Sequence, residues 1–136
     1  MPTTKRIALV MGSFHKPQIE EMLAEARNAA SEVEMTIIEE VWVPGSLEKP
    51  LAVKRLLQRD DIDGVAVLGI IERGETKHGL VMGQAVTQAL IQLQLEKMKP
   101  IGCGILGPEI LPEQIAIRLK PYARAAVFAV QAMLKQ

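Results

Sequence analysis

The 136-residue sequence predicts a single domain over residues 1–136, a three-layer α/β/α sandwich around a four-stranded parallel sheet. Apolar runs typical of buried strands alternate with longer segments of helical periodicity. Such a β-α-β-α-β-α-β-α order requires crossover connections, and therefore a parallel sheet with helices on both faces. Hydrophobic residues make up 49% of the chain and aromatic residues only 3%, so the core is expected to be aliphatic.

The first half of the chain contains two predicted strands, each followed by a helix. Residues 7–10 form a short β-branched and aliphatic run that predicts a buried strand. Residues 36–43 form the second predicted strand, which Pro44-Gly45 closes. Ser46 is the predicted N-cap of the second helix, with Pro50 in its first turn. The predicted apolar side of that helix comprises Leu51, Val53, Leu56 and Leu57.

The second half repeats this pattern twice. Residues 64–68 form the third and most apolar predicted strand, and residues 79–98 form the third helix. Residues 100–106 form the fourth strand, which Gly107-Pro108 is expected to break. The helical sequence that follows is expected to bend or divide at Pro121. The predicted buried side of the third helix comprises Val81, Met82, Ala85, Val86, Ala89, Leu90 and Leu93.

In doubly wound, flavodoxin-like folds, ligands bind at the carboxyl ends of the strands. The most informative loop there is residues 69–78, where a strand is predicted to end in a Gly-rich turn that opens a helix. Free backbone N–H groups and the helix dipole at such a turn suit an anion. His78 is either a proton shuttle or a solvated surface group. An anion seat beside a proton shuttle predicts chemistry on a phosphorylated small molecule.

Five further features each have a functional and a structural interpretation. Phe14 either stacks on a flat heterocycle or packs on the first helix. Glu48 either accepts hydrogen bonds from a ligand or complements a helix dipole. Residues 74–76 either bind phosphate or form an ordinary helix start. Arg118 is either a phosphate ligand or an exposed helical arginine. Cys103 is expected to line the core or a pocket rather than to act as a nucleophile.

Charge and cysteine content exclude several classes of function. Lys+Arg and Asp+Glu both number 16, which argues against a nucleic-acid or anionic-membrane surface. The single cysteine excludes an intrachain disulfide, and a reducing cytoplasm is the expected location. Residues 1–6 lack an apolar signal core, and no apolar run approaches membrane-spanning length. Neither a metal-site spacing nor a common nucleotide-binding signature is present.

Four motifs together carry a family resemblance. They are VPGSLEKP at residues 43–50, LGIIERGETKH at 68–78, PIGCGIL at 100–106 and EQIAIR at 113–118. In this order and spacing the sequence resembles 6,7-dimethyl-8-ribityllumazine synthases, particularly the short archaeal form, over nearly the whole chain. The Gly-Glu-Thr-x-His element is the most specific part, whereas Val-Pro-Gly is shared with archaeal riboflavin synthases.

The resemblance implies a transferase of riboflavin biosynthesis that uses no cofactor and no metal. Its substrates would be 5-amino-6-(D-ribitylamino)uracil and 3,4-dihydroxy-2-butanone 4-phosphate. The ring amine would form an imine with the ketone, phosphate would leave, and the ribitylamine would close the second ring with loss of water. Such chemistry mainly requires two substrates held in register and proton transfers.

The resemblance also implies the site residues. Those that contact the uracil ring and the ribityl chain would be Phe14, Ser46, Leu47, Glu48, Ile70, Ile71 and Glu72. Those that seat the phosphate would be Gly74, Glu75, Thr76 and Arg118. His78 would donate and accept protons. Three positions depart from the family pattern: His15 replaces a common Asn, Leu47 an aromatic residue, and Cys103 a Phe that reaches the substrate from the neighbouring subunit.

Members of the resembled family assemble as pentamers, often as twelve pentamers in an icosahedral shell, with sites between adjacent subunits. The sequence does not choose between a pentamer and a shell. An archaeal-type riboflavin synthase is the nearest alternative, although its reaction has no phosphate substrate. An alternative of another class is a non-catalytic flavin-binding or shell-forming protein on the same scaffold, which the departures at Leu47 and Cys103 favour.

Overall fold

The computed structural model describes residues 4–136 and contains one sheet of four parallel strands in the order β2-β1-β3-β4. The strands are β1 (Arg6–Gly12), β2 (Thr36–Val43), β3 (Gly64–Glu72) and β4 (Ile101–Ile110). The helices are α1 (Lys16–Glu32), α2 (Lys49–Leu57), α3 (His78–Lys97), α4 (Pro112–Ile115) and α5 (Leu119–Leu134). This architecture confirms the predicted fold class. Residues 1–3 of the predicted domain lie outside the described residues.

Helices cover both faces of the sheet, and alternate residues of each strand belong to different cores. Along β1, Ile7, Leu9 and Met11 belong to the core formed with α1 and α5. The intervening Ala8 and Val10 belong to the core formed with α2 and α3. All five side chains are fully buried. The central strands β1 and β3 are therefore apolar on both faces, as expected for a parallel sheet between helical layers.

Two predicted strand ends were wrong, because both strands continue past residues that usually break a strand. Strand β3 extends to Glu72, so residues 69–72 lie in the sheet and the turn comprises only residues 73–77. Strand β4 continues through the cis Gly107-Pro108 bond to Ile110, which pairs with Glu72 after a register shift. The added residues of β3 and β4 pair with each other through their backbones.

The last helical region divides before Pro121. Its two helices are separated by a 3-10 turn at Ala116–Arg118, and Pro121 lies in the first turn of α5. Proline is tolerated in a first helical turn because the N–H groups there have no intrahelical acceptor. The division of this helical region was therefore predicted correctly, but it lies a few residues before the predicted position at Pro121.

The predicted buried sides of two helices were partly wrong. Leu51 of α2 is 56% exposed, and Val81 and Ala85 of α3 are exposed. Helix α3 buries Gly83, Val86, Leu90 and Leu93 instead. Its exposed apolar side chains are Val81, Ile91 and Leu95, followed by Met98 at its C-cap. A helix that is apolar on most sides is typical of one covered by further protein.

The structure contains no helix, among residues 4–136, with the length and apolar content needed to cross a bilayer.

Candidate active site

A cavity of about 480 Å³ opens at the carboxyl edge of the sheet, between the loops that follow β1, β2 and β3 and the start of α3. Its position agrees with the rule that ligands of open α/β sheets bind at this edge. Its lining comprises Phe14, His15, Gly45, Ser46, Leu47, Glu48, Ile70, Ile71, Glu72, Gly74, Thr76, His78, Gly79 and Met82. Residues far apart in the sequence therefore meet around one space.

The aromatic wall of the cavity is Phe14, whose side chain is 70% exposed. Gly45 makes its placement possible: a Cβ at that position would lie 3.1 Å from Phe14 Cε2 and 3.4 Å from Glu48 Oε1. A larger residue at position 45 would press on both groups. The ring and the Glu48 carboxylate are thus held beside the same short segment of backbone, with the ring open to a ligand.

The lining of the cavity includes a 3-10 turn at Ser46–Glu48, which leads directly into α2. Ser46 makes no capping hydrogen bond with its side chain, so its predicted role as N-cap was wrong. Its hydroxyl instead accepts a hydrogen bond of 3.2 Å from Lys49 Nζ. Burial lowers the pKa of Lys49 to about 8, an effect that a negative charge on Cys103 would oppose.

The turn between β3 and α3 is exposed from residue 73 to residue 78. Thr76 Oγ1 accepts a hydrogen bond of 3.3 Å from the backbone N–H of His78, the first residue of α3. The Thr76 hydroxyl therefore contacts the helix start, but the N-cap of α3 is Lys77, so an N-cap role for Thr76 was wrong. The N-terminus of this 20-residue helix faces the cavity through His78 and Gly79, where a helix carries partial positive charge.

Both histidines of the chain line the cavity. His15 adopts a left-handed backbone conformation (φ 59°) just before α1, and its Nε2 lies 3.6 Å from Glu72 Oε2. In the sequence, His15 stands out only as a departure from a family pattern. Its proximity to Glu72 could have been inferred from the sheet order, because β1 and β3 are neighbours whose ends lie side by side.

Three of the predicted site residues do not line the cavity of the single chain: Glu75, Cys103 and Arg118. Arg118 lies in the 3-10 turn before α5, and its guanidinium donates a hydrogen bond of 2.8 Å to the carbonyl oxygen of Gln114. Cys103 is exposed on the edge strand β4, in a shallow cleft against α3. The remaining predicted residues do line the cavity.

The cavity is lined by both apolar side chains and polar groups. Ile70, Ile71 and Met82 supply aliphatic lining, and Phe14 supplies an exposed ring. Glu48 and Ser46 supply hydrogen-bonding groups, and the start of α3 supplies backbone N–H groups. This arrangement suits a flat heterocycle with a hydroxylated chain beside an anion. Within residues 4–136, no cluster of three or more His, Cys, Asp or Glu side chains could hold a metal ion.

Comparisons with known proteins give a consistent result. The family model described as 6,7-dimethyl-8-ribityllumazine synthase matches residues 4–136. A protein of that name from Halobacterium salinarum is 38% identical over 125 residues, covering 92% of this chain and 94% of the relative. Proteins of the same name from Staphylothermus marinus and Methanopyrus kandleri are each 37% identical over 131 residues. Both alignments cover 96% of this chain, and respectively 87% and 92% of the relatives.

Proposed function

Because the chain belongs to the 6,7-dimethyl-8-ribityllumazine synthase family, we propose that it condenses 5-amino-6-(D-ribitylamino)uracil with 3,4-dihydroxy-2-butanone 4-phosphate in this cavity. The product is 6,7-dimethyl-8-ribityllumazine, an intermediate of riboflavin biosynthesis, and the enzyme is a transferase. The observation that supports the site most strongly is that three separate loops bring Phe14, Glu48 and His78 around one space. A cytoplasmic location is part of the proposal, in agreement with the single free cysteine.

The reaction balances without an oxidant or a reductant. The 5-amino group adds to the ketone carbonyl and forms an imine with loss of one water. Inorganic phosphate then leaves, and the nitrogen that bears the ribityl chain closes the second ring with loss of a second water. The protein holds the two reactants together and moves protons, which are the contributions expected of binding loops and a histidine.

Each part of the cavity has a role in this proposal. Phe14 stacks on the pyrimidine ring, and Glu48 accepts hydrogen bonds from the ribityl hydroxyls. Ile70 and Ile71 hold the opposite side of the ring. His78 exchanges protons with the reacting nitrogen and oxygen atoms, since it is exposed to the cavity and lies beside the helix start.

The phosphate seat consists of the turn at residues 74–76 and the first N–H groups of α3. A helix N-terminus favours an anion, and the Thr76 hydroxyl adds a further polar group. Arg118 completes this seat in the proposal, as a bidentate donor to the phosphate oxygens. Within one chain Arg118 does not line the cavity, so this role requires Arg118 from a second copy of the chain.

Assembly into pentamers, alone or as the units of an icosahedral shell, is the second part of the proposal. Helix α3 has exposed apolar residues and β4 is an edge strand, and both are features that further protein would cover. A second copy of the chain packed there would place its own residues beside the cavity. Arg118 and Cys103, which do not line the cavity of their own chain, are the residues we assign to this role.

The direct test is turnover of the purified protein with both substrates, following lumazine absorbance and phosphate release. Equal amounts of lumazine and phosphate are expected. Riboflavin formed from lumazine alone would identify a riboflavin synthase instead. Tight flavin binding with no turnover of the two substrates would identify a binding protein. Light scattering of the same sample gives the number of subunits, and a monomer that remains active would contradict the shared site.

A further inference from the structure

Lys49 is the largest fully buried side chain of the described residues, with a relative exposure of 1%. Lysine is almost never buried to this degree unless it is paired with an opposite charge. Within residues 4–136, however, Lys49 forms no salt bridge. Its only side-chain hydrogen bond there is the one to Ser46 Oγ, of 3.2 Å.

Two glycines on neighbouring strands make the space that holds this ammonium group. A Cβ at Gly69 of β3 would overlap Lys49 Nζ, and a Cβ at Gly12 of β1 would lie 3.2 Å from Nζ and 3.1 Å from Cε. Gly12 is the last residue of β1, whereas Gly69 lies within β3, which continues to Glu72. The side chain of Lys49 therefore reaches from the start of α2 to the neighbouring strands β1 and β3.

Burial of this charge disfavours the folded state, since the ammonium group loses most of its hydration. The fall of its pKa to about 8 reflects that cost. At neutral pH the group is still mainly protonated. An apolar side chain of similar length would fill the same space without the cost, so packing alone does not account for a lysine at this position.

The hydrogen bond to Ser46 has a defined direction. A protonated lysine has no lone pair, so Lys49 must donate and the Ser46 oxygen must accept. The hydroxyl hydrogen of Ser46 is then free to be donated elsewhere. Ser46 lines the cavity, and among the described residues its hydroxyl donates no hydrogen bond, so its hydrogen is available to water or to a bound ligand.

We propose that Lys49 is a positioning residue, which fixes the Ser46 hydroxyl as a hydrogen-bond donor to a carbonyl or hydroxyl oxygen of the ribitylaminouracil substrate. The proposal rests on the proposed function, because it assumes that this substrate occupies the cavity. The ammonium group does not touch the reacting atoms. The positive charge of Lys49 polarises the Ser46 hydroxyl. The site therefore favours ligands that place a hydrogen-bond acceptor within reach of that hydroxyl.

The test is a double-mutant cycle on the binding of ribitylaminouracil alone, where no reaction takes place. Lys49→Met and Ser46→Ala should each raise the Kd about tenfold, as expected for loss of a charge-assisted hydrogen bond. The double variant should bind no more weakly than Ser46→Ala, because both changes remove one interaction. In steady state, Lys49→Met should raise KM for this substrate and leave kcat nearly unchanged.

Lys54→Met is the matched control, since Lys54 is exposed on the same helix. Lys49→Gln is a second variant, whose neutral amide retains an N–H donor and should bind with an intermediate Kd. Light scattering and thermal unfolding show whether each variant keeps its assembly and fold. Unchanged binding by Lys49→Met, or effects of the two single changes that multiply in the double variant, would overturn the proposal.

Failure of the proposed function gives a different result. In that case the wild-type protein neither binds ribitylaminouracil nor forms lumazine, and both proposals fall together. If the wild-type protein binds ribitylaminouracil and forms lumazine, and Lys49→Met binds ribitylaminouracil with the wild-type Kd, only the proposed role of Lys49 is refuted.

Discussion

Replacement of Lys49 by methionine should stabilise the protein at pH 7. The pKa of Lys49 falls from 10.5 in an unfolded chain to about 8 in the fold, because the side chain is buried. This change corresponds to about 3 kcal/mol of destabilisation when both states are protonated. Loss of the hydrogen bond to Ser46 would offset about 1 kcal/mol of the gain. The free energy of unfolding should therefore increase by about 2 kcal/mol.

The pH dependence of this difference identifies its cause. Below pH 8 the lysine is protonated in both states, and the full penalty applies. Between pH 8 and pH 10.5 only the unfolded state retains the proton, so the stability of the wild-type protein rises with pH. The advantage of the methionine variant should consequently shrink by about 2 kcal/mol between pH 7 and pH 9.5.

Urea unfolding of both proteins at these two pH values, at matched subunit concentration, measures the effect. Lys54→Met is the control and should change the free energy of unfolding by less than about 0.5 kcal/mol. A methionine variant that is less stable than the wild type at pH 7 would refute the reasoning. So would a difference that is the same at both pH values.

Three further changes test other parts of the molecule. His78→Ala should lower kcat roughly 100-fold with little change in unfolding free energy, and an unchanged steady-state rate would remove its assigned role. Gly69→Ala should destabilise the protein by about 1–3 kcal/mol in urea, because its Cβ overlaps Lys49 Nζ; a neutral effect would show that the lysine moves freely. The weakly active His78→Ala and Arg118→Ala proteins, unfolded together and reassembled, should gain activity if sites lie between subunits, whereas separate reassembly should leave each at its own low activity.

The four strands could be predicted because a strand buried on both faces is a short, uninterrupted apolar run. The far ends of β3 and β4 could not be predicted from local signals. Gly69 and Gly107-Pro108 are usual strand breakers, yet these segments pair with each other as far as Glu72 and Ile110. A glycine is present at position 69 because a Cβ there would overlap Lys49 Nζ, and the two residues are 20 positions apart in the sequence.

Part of the predicted site could be placed from sequence, because loop position follows from the β-α alternation. His78 and Phe14 occupy loops that the β-α alternation places at one edge, and both line the cavity. Lys49 was missed because its burial depends on small residues in two other strands. Arg118 was predicted at the site from a motif alone, and within one chain it does not line the cavity.

The glycine-lined space around Lys49 also restricts the order in which this sequence can change during evolution. Alanine at position 69 would meet the lysine nitrogen, whereas methionine at position 49 lacks that terminal atom. A lineage can therefore shorten residue 49 first and then enlarge residue 69, but the reverse order passes through an overpacked intermediate. The effect of a substitution at position 69 thus depends on which residue already occupies position 49. Position 12 depends on residue 49 in the same way but more weakly, because its contact with Lys49 is less severe.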